Sequence, residues 1–288
     1  MSEITVPKKK RRLKSGFTGR TNIIIVIFCI VLAVALTVGV IYLMGYRYTR
    51  YNFAEGYSVT FVGKVNGENQ PVSGRITFNS GEKSGLSASV DSATGKIVYS
   101  NGDVYEGQTK DLLRHGNGKL TFADGRIYEG EFVADEASGA GKMTYANGDT
   151  YEGSFLKGAK NGEGKYTWAD GSTYEGSYVN DRKNGKGVMS WADGSTFDGT
   201  YVEDKKHGEG TYIYANGDKY EGGFENDVRA GKGTYLWAGG EKYTGEFKSN
   251  TMWGVGTYQW PDGRILKDGY FEDGVIVRTD EDISVPVE

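Results

Sequence analysis

The residues of this 288-residue chain whose types could do chemistry are two histidines, one cysteine, and the carboxylates and lysines that follow recurring glycines. His115 and His207 lie 92 residues apart and fall in one slot, which Ser138, Asn161, Asn184, Ala230 and Trp253 fill elsewhere. On stacked strands that separation is about 40 Å, too far for both to act on one substrate, and a slot that accepts alanine does not hold a general base. The glutamates Glu106, Glu129, Glu152, Glu175 and Glu221 recur singly, as a ladder rather than a dyad. The Gly-x-Gly-Lys runs at Gly116 and Gly162 lack the Gly-x-x-x-x-Gly-Lys-Ser/Thr spacing and the following helix of a phosphate loop. No Asp-x-Asp-x-Asp-Gly calcium loop occurs. Cys29 stands alone, so no intrachain disulfide can form, and with two histidines it makes no zinc set. The expectation is a chain with no catalytic residue, no metal site and no cofactor.

The glycines have a different origin. Tyr-Glu-Gly begins at Tyr105, Tyr128, Tyr151, Tyr174 and Tyr220, with Phe-Asp-Gly at Phe197 and Tyr-Thr-Gly at Tyr243, all in register at a period of 23. A Gly-x-Gly and an Asn-Gly or Asp-Gly follow in the same register, with Gly239-Gly240 once in the last place. Three landmarks at one period define a repeat array. Within one unit Met143, Tyr145, Tyr151 and Phe155 alternate with Lys142, Thr144, Glu152 and Ser154, the period-2 pattern of a half-buried strand. Parity survives Asn147-Gly148, which predicts a three-residue turn, Ala146-Asn147-Gly148, with glycine in the left-handed position of a bulge. A longer loop such as Lys157 to Asn161 is expected to lead to the next hairpin. The 45 glycines do not fall every third residue and there are only 4 prolines, which excludes a collagen-like chain.

The run Tyr151 to Gly171, "YEGSFLKGAKNGEGKYTWADG", resembles the MORN repeat (membrane occupation and recognition nexus), and the resemblance covers residues 96–275. It implies an elongated, twisted antiparallel meander of about eight 23-residue β-hairpins. It also implies a role as a scaffold or membrane-contact module; members fused to catalytic domains are known, and no such domain stands here. The departures are Phe197-Asp198, Thr244, and Leu266 in place of an eighth tyrosine, which reads as a C-terminal cap. Residues 57–95 echo the unit imperfectly, with an enlarged loop near Gly67 to Pro71, and read as a divergent N-terminal cap.

An apolar sheet face must be buried, and no amphipathic helix in the sequence covers this one. Curling is expected to pack the rungs Tyr128, Tyr151, Tyr174 and Phe132, Phe155, Tyr178 on one another. The slot before the turn triplet (Ala-Asp-Gly, Ala-Asn-Gly, and once each Ala-Gly-Gly and Pro-Asp-Gly) is different: in it Trp168, Trp191, Tyr214, Trp237 and Trp260 sit beside a turn at the sheet's edge. They are the candidate ligand-binding residues, an aromatic groove for a peptide, a glycan or a second copy of the chain, against the alternative that they pack at the rim. The segments "VNDRKN", "VEDKKH" and "ENDVRA" vary while the frame stays fixed, and could carry specificity as loops.

Residues 23–44 form an uncharged stretch of 22. As a helix it is about 33 Å long and spans a hydrocarbon core of about 30 Å. Residues 1–22 hold seven Lys/Arg against Glu3, a balance of +6, which leaves the remainder at about −10. The positive-inside rule places the N-terminus in the cytoplasm and the array outside the cell membrane. A cleaved signal peptide has an apolar core of about 7–15 residues, shorter than this one. The basic run could serve as a nuclear address, but directly before a span it reads as a topology signal. Residues 45–56 are expected as a short stalk and 276–288 as an acidic tail. The acidic bulk argues against nucleic acid. The chain thus reads as a single-pass, non-catalytic scaffold that meets the membrane through 23–44 and a protein, an envelope polymer or another copy of itself through the array. The competing readings are a phospholipid-surface module and an accessory subunit of a membrane enzyme complex.

Overall fold

The computed structural model describes residues 19–52, 58–80, 83–278 and 283–284. One helix, Gly19–Leu43, is long and apolar enough to cross a membrane over Val26–Leu43, and the protein buries none of that stretch. Two residues later the sheet begins. The segment expected as a stalk contains the strand Tyr46–Asn52, which pairs along its whole length with Ser58–Val65. The strand Val275–Arg278 runs from the array into the expected acidic tail, which also holds the pair Ile283–Ser284, both against Ile265–Glu272; 279–282 and 285–288 lie outside the described residues.

Among the described residues twenty-two strands join in one antiparallel sheet, nearly every one bonded to its neighbour in sequence. Each unit supplies a short strand starting with Thr-Tyr-Glu-Gly or its equivalent, such as Thr150–Leu156, and a longer one carrying Gly-x-Gly, such as Ala159–Thr167. Units meet at the predicted three-residue turns: Tyr145 N donates to Asp149 O at 2.9 Å, Gly148 N to Tyr145 O at 3.0 Å, and Gly148 has φ 92°.

The other edge of the ribbon differs from expectation. Where a longer loop was expected, at Lys157 to Asn161, the chain turns in two residues, Lys157-Gly158, and Leu156 already pairs with Ala159. The variable segments at Asn180-Asp181, Glu203-Asp204 and Asn226-Asp227 do the same, both turn residues having positive φ. This is the type I′ geometry, which matches strand twist and which Asn and Asp tolerate. The residues counted as loop are absorbed in a bulge: between the pairs Gly153–Gly164 and Phe155–Lys160, Asn161, Gly162 and Glu163 stand opposite Ser154 alone.

Among the described residues one sheet with no second layer buries its core by laying rings on glycine. Tyr151 is fully buried, and a Cβ on Gly164 would stand 2.5 Å from its Cε2. The Tyr151 hydroxyl donates to Ser154 O at 3.1 Å, a bond that Tyr128, Tyr174, Tyr220 and Tyr243 repeat with the residue three ahead. Phe155 then meets Tyr151 and Tyr128 edge-on, at 5.1 and 5.0 Å. The edge-to-face zipper continues from Tyr105 to Phe271 without a gap. Each such contact adds about 0.5–1.5 kcal/mol beyond area burial. Leu266, in the eighth tyrosine position, is also fully buried and closes over Gly269.

Two predictions follow from this packing. In Gly187→Ala the new Cβ would fall 2.5 Å from Tyr174 Cζ, in a ring that is fully buried and held by its hydroxyl bond to Ser177 O. Overpacking of that kind costs about 1–3 kcal/mol, read as a lower urea midpoint; an unchanged midpoint would refute the ring-on-glycine account. Burial pushes Tyr105, Tyr128, Tyr151 and Tyr243 up to about 12. The unfolded tyrosine titrates near 10, so this stabilisation is complete below pH 10 and is lost as pH rises toward 12. Phenolate absorbance should therefore appear together with loss of β-structure, not before it.

Candidate aromatic and cationic binding strip

The aromatic residues singled out by sequence lie on one side of the ring zipper. Trp168, Trp191, Tyr214, Trp237 and Trp260 are all half-buried and pack against the core, so part of each ring reaches solvent. Each follows the end of a Gly-x-Gly strand and is held by its turn: Trp191 N donates to Ser195 O at 2.9 Å and accepts from Gly194 N through its carbonyl. They do not stand alone. Tyr166, Tyr212, Tyr235 and Tyr258, two residues earlier, interleave with them: Trp191–Tyr212 at 5.3 Å, Tyr212–Tyr214 at 4.3 Å, Tyr214–Tyr235 at 5.8 Å, Tyr235–Trp237 at 4.5 Å. From Trp191 to Trp260 the rings form one continuous strip.

The rim is tied down by buried carboxylates. Tyr166 donates its hydroxyl to Asp149 Oδ2 at 2.7 Å, and Ala169 N donates to the other oxygen at 2.9 Å. Tyr235, Ala238 and Asp218 repeat the arrangement. These donors, the tyrosine hydroxyl first, hold both carboxyls below the usual aspartate range.

A second row of residues escaped the sequence reading. At the same 23-residue period stand Arg114, Ala137, Lys160, Lys183, Lys206, Arg229 and Met252, the positions read there as parts of variable loops. Being strand residues, they point onto the aromatic face. Lys160 Nζ lies 5.0 Å from the Tyr166 centroid and 5.3 Å from that of Tyr178. Lys183 faces Tyr201 at 4.9 Å, Lys206 faces Tyr212 at 5.0 Å, and the Arg229 guanidinium faces Tyr235 at 4.9 Å. Desolvation draws Lys160, Lys183 and Lys206 below the ordinary lysine value. Five basic residues among seven positions of one register was the available signal. It was hidden because the flanking residues vary.

The backbone beneath this row is clamped. Lys160 N donates to Asp181 Oδ1 at 2.9 Å while Asp181 N donates to Lys160 O at 3.0 Å, so each two-residue turn is stitched to the strand before it. Asp204 holds Lys183 and Asp227 holds Lys206 in the same way. At the N-terminal end Asp135 does more. Besides its bond to Arg114 N, its carboxylate pairs with Arg114 Nε at 3.1 Å and Lys83 Nζ at 2.7 Å, which fastens the divergent cap to the array. The opposite face is polar, with exposed cross-strand pairs such as Lys119–Glu129 at 2.9 Å and a shallow trough of about 960 Å³ edged by Asp198, Glu209, Glu221 and Glu246. His207 is exposed on that array among unrelated neighbours, and among the described residues no group of His, Cys, Asp or Glu is arranged to hold a metal ion.

A continuous β-meander of glycine-seated tyrosines at a 23-residue period defines the class: a β-hairpin repeat array. The MORN repeat model matches residues 105–125, 128–150, 151–173, 174–196, 197–219, 220–242 and 243–263, more than half of the chain, and the chain belongs to that family. Such repeats point to a membrane- or lipid-associated binding role. Among curated proteins none matches the chain. Solved structures with partial similarity include the TCP domain of Drosophila melanogaster SAS-4 (dCPAP) in complex with a proline-rich motif of Ana2 (dSTIL), at 18% identity over 52% of this chain and 82% of that one, TM-score 0.33. A mutant TCP10 domain of Danio rerio CPAP is 14% identical over 76% of this chain and 91% of that one, TM-score 0.29. Virginiamycin B lyase from Staphylococcus aureus is 13% identical over 77% and 94%, TM-score 0.16. Overlaps this low carry no argument about function.

The cationic row is not needed for the fold, since Ala137 and Met252 occupy equivalent positions. A desolvated ammonium costs free energy that its ring contacts, worth about 0.5–2 kcal/mol, only partly offset. Lys183→Met should therefore leave the thermal midpoint unchanged or raise it by a few degrees; a clear drop in calorimetry would show the lysines to be structural.

Proposed function

We propose that this protein is a membrane-anchored, non-catalytic binding scaffold, held by the helix Gly19–Leu43 and presenting its array on the extracytoplasmic side. The observation that carries the reading is the continuous half-exposed aromatic strip from Trp191 to Trp260, lying on a sheet face that no second layer covers. Aromatic rings anchored at the base and open at the rim give large contact area at little entropic cost. The seven basic residues before the apolar segment support the orientation.

A second reading, contact with a lipid surface, is favoured by the family and by one feature of the two-residue-turn edge. Val133, Leu156, Val179 and Val202 are exposed there in a row, beside Lys157, Arg182 and Lys205. Apolar side chains flanked by cations suit a headgroup boundary.

Three measurements separate these readings. Protease shaving of intact cells should remove the array; protection until permeabilisation would refute the extracytoplasmic placement. A photocrosslinking residue at Tyr214 should give a discrete adduct in cells, while one at the opposite-face Thr211 should not. Equal labelling from both positions would overturn the aromatic strip as the contact surface. Flotation with anionic liposomes at low salt, abolished by Leu156→Ser with Val179→Ser, would favour the lipid reading instead.

A further inference from the structure

Three cations on the strip, Lys160, Lys183 and Lys206, have no use that the fold explains, whereas Arg229 also donates to Tyr214 Oη at 3.3 Å and to Asn250 O at 2.6 Å. Among the described residues Lys160 and Lys183 make no ion pair, and Lys206 reaches Asp227 Oδ1 only at 3.9 Å. All three are half-buried over aromatic rings, and the neutral Ala137 and Met252 show that the position can do without charge. At the N-terminal end of the same row the charge is satisfied: Asp135 places a carboxylate between Arg114 and Lys83. The protein itself thus shows what chemistry this position accepts. Glu152, Glu175, Asp198 and Glu221 lie on the opposite face; the carboxylates nearest the row, Asp181, Asp204 and Asp227, accept backbone N–H bonds and form no ion pair with Lys160 or Lys183.

The spacing narrows the ligand further. One unit advances two strands, about 9.6 Å, and places one cation and one or two half-exposed rings at each step, buried Met189 standing in place of the second ring beside Trp191. A polyproline II helix has three residues per turn at about 3.1 Å each, so it repeats every 9.3 Å and presents every third side chain on one side. Its preformed backbone and flat proline rings suit aromatic-lined grooves. A β-extended peptide would turn its third residue to the opposite face.

We infer that the strip between Trp168 and Trp237 takes an extended acidic peptide in polyproline II conformation, with a carboxylate at every third residue pairing in turn with Lys160, Lys183, Lys206 and Arg229. This rests on the binding role proposed above and names the partner's chemistry.

The test uses the full chain in detergent micelles and fluorescence anisotropy of labelled peptides. A peptide of five Pro-Pro-Glu triplets should bind at least about tenfold more tightly than one of the same composition with its glutamates clustered, and than one with glutamine for glutamate. Lys183→Gln combined with Lys206→Gln should weaken the phased peptide by about tenfold or more, while Lys186→Gln on the opposite face should change it less than about twofold. Equal affinity for phased and clustered peptides overturns the inference, as does indifference to the paired lysine variant when its melting curve is unchanged. Preferential binding of polygalacturonate, an acidic glycan, overturns it equally. If the phased peptide fails while the Tyr214 crosslink still forms, the partner chemistry is wrong and the binding role stands; if both fail, the binding role falls with it.

Discussion

The interaction on which the rest of the structure depends is a tyrosine ring lying flat over two facing glycines. A β-sheet with one apolar face ordinarily needs a second layer to bury it. Here the glycine pair, Gly153–Gly164 in one unit, removes both Cβ atoms from the floor and lets the Tyr151 ring descend onto backbone. The hydroxyl then reaches the carbonyl three residues on, so a buried polar atom is satisfied within its own strand. Once the ring is down, Phe155 can close over its edge and over the edge of Tyr128 in the preceding unit. Burial of each unit is thus completed by its neighbour, which is the physical basis of a quasi-one-dimensional array. Phe197 shows which part matters more: without a hydroxyl it keeps the same seat over Gly199 and Gly210 and remains fully buried.

The two edges of the ribbon solve the next problem, keeping successive turns in step. On one edge Asp181, Asp204 and Asp227 clamp the backbone of the preceding strand; on the other Asp149 and Asp218 take the N–H of the next turn and a tyrosine hydroxyl. Both edges therefore use short acidic side chains as backbone ligands. The charge that is free to meet a partner is differently placed: a row of cations on the aromatic face, and both signs in cross-strand pairs such as Lys119–Glu129 on the other. Net charge alone is a poor guide to what this surface attracts, because the aromatic face carries its own row of cations.

Most of the fold was legible because the repeat fixes three things at once. Period 23, strand alternation and the parity across Asn147-Gly148 led to the three-residue turn, the buried Tyr and Phe rungs and the partly exposed tryptophans. The readings that failed share one cause. Lys157 to Asn161 was judged by local polarity, but backbone pairing decided it, as it did the strands found at Tyr46–Asn52 and Val275–Arg278. The tight turns at Asn180-Asp181 and Glu203-Asp204 carry no glycine, so their left-handed conformation had no obvious mark, and the surplus residues went into a bulge. The basic row was overlooked for the same reason: a segment taken as loop has no inward direction, so Lys160 and Lys183 could not be assigned a face.

By itself the sequence determined the local alphabet: which residues alternate, where glycine must turn the chain, where a helix is apolar enough for a membrane, and that the units are equivalent. Those follow from side-chain period and φ preference, which neighbours in the chain already express. Only the tertiary structure decided register, and with it which side chains share a face. Whether Lys183 lies in solvent or over Tyr201 depends on a bulge formed against a strand several residues away, and whether Trp191 is core or contact surface depends on Tyr212 of the next unit. Such facts arise from pairing across strands, where one residue of slip moves every side chain to the other face.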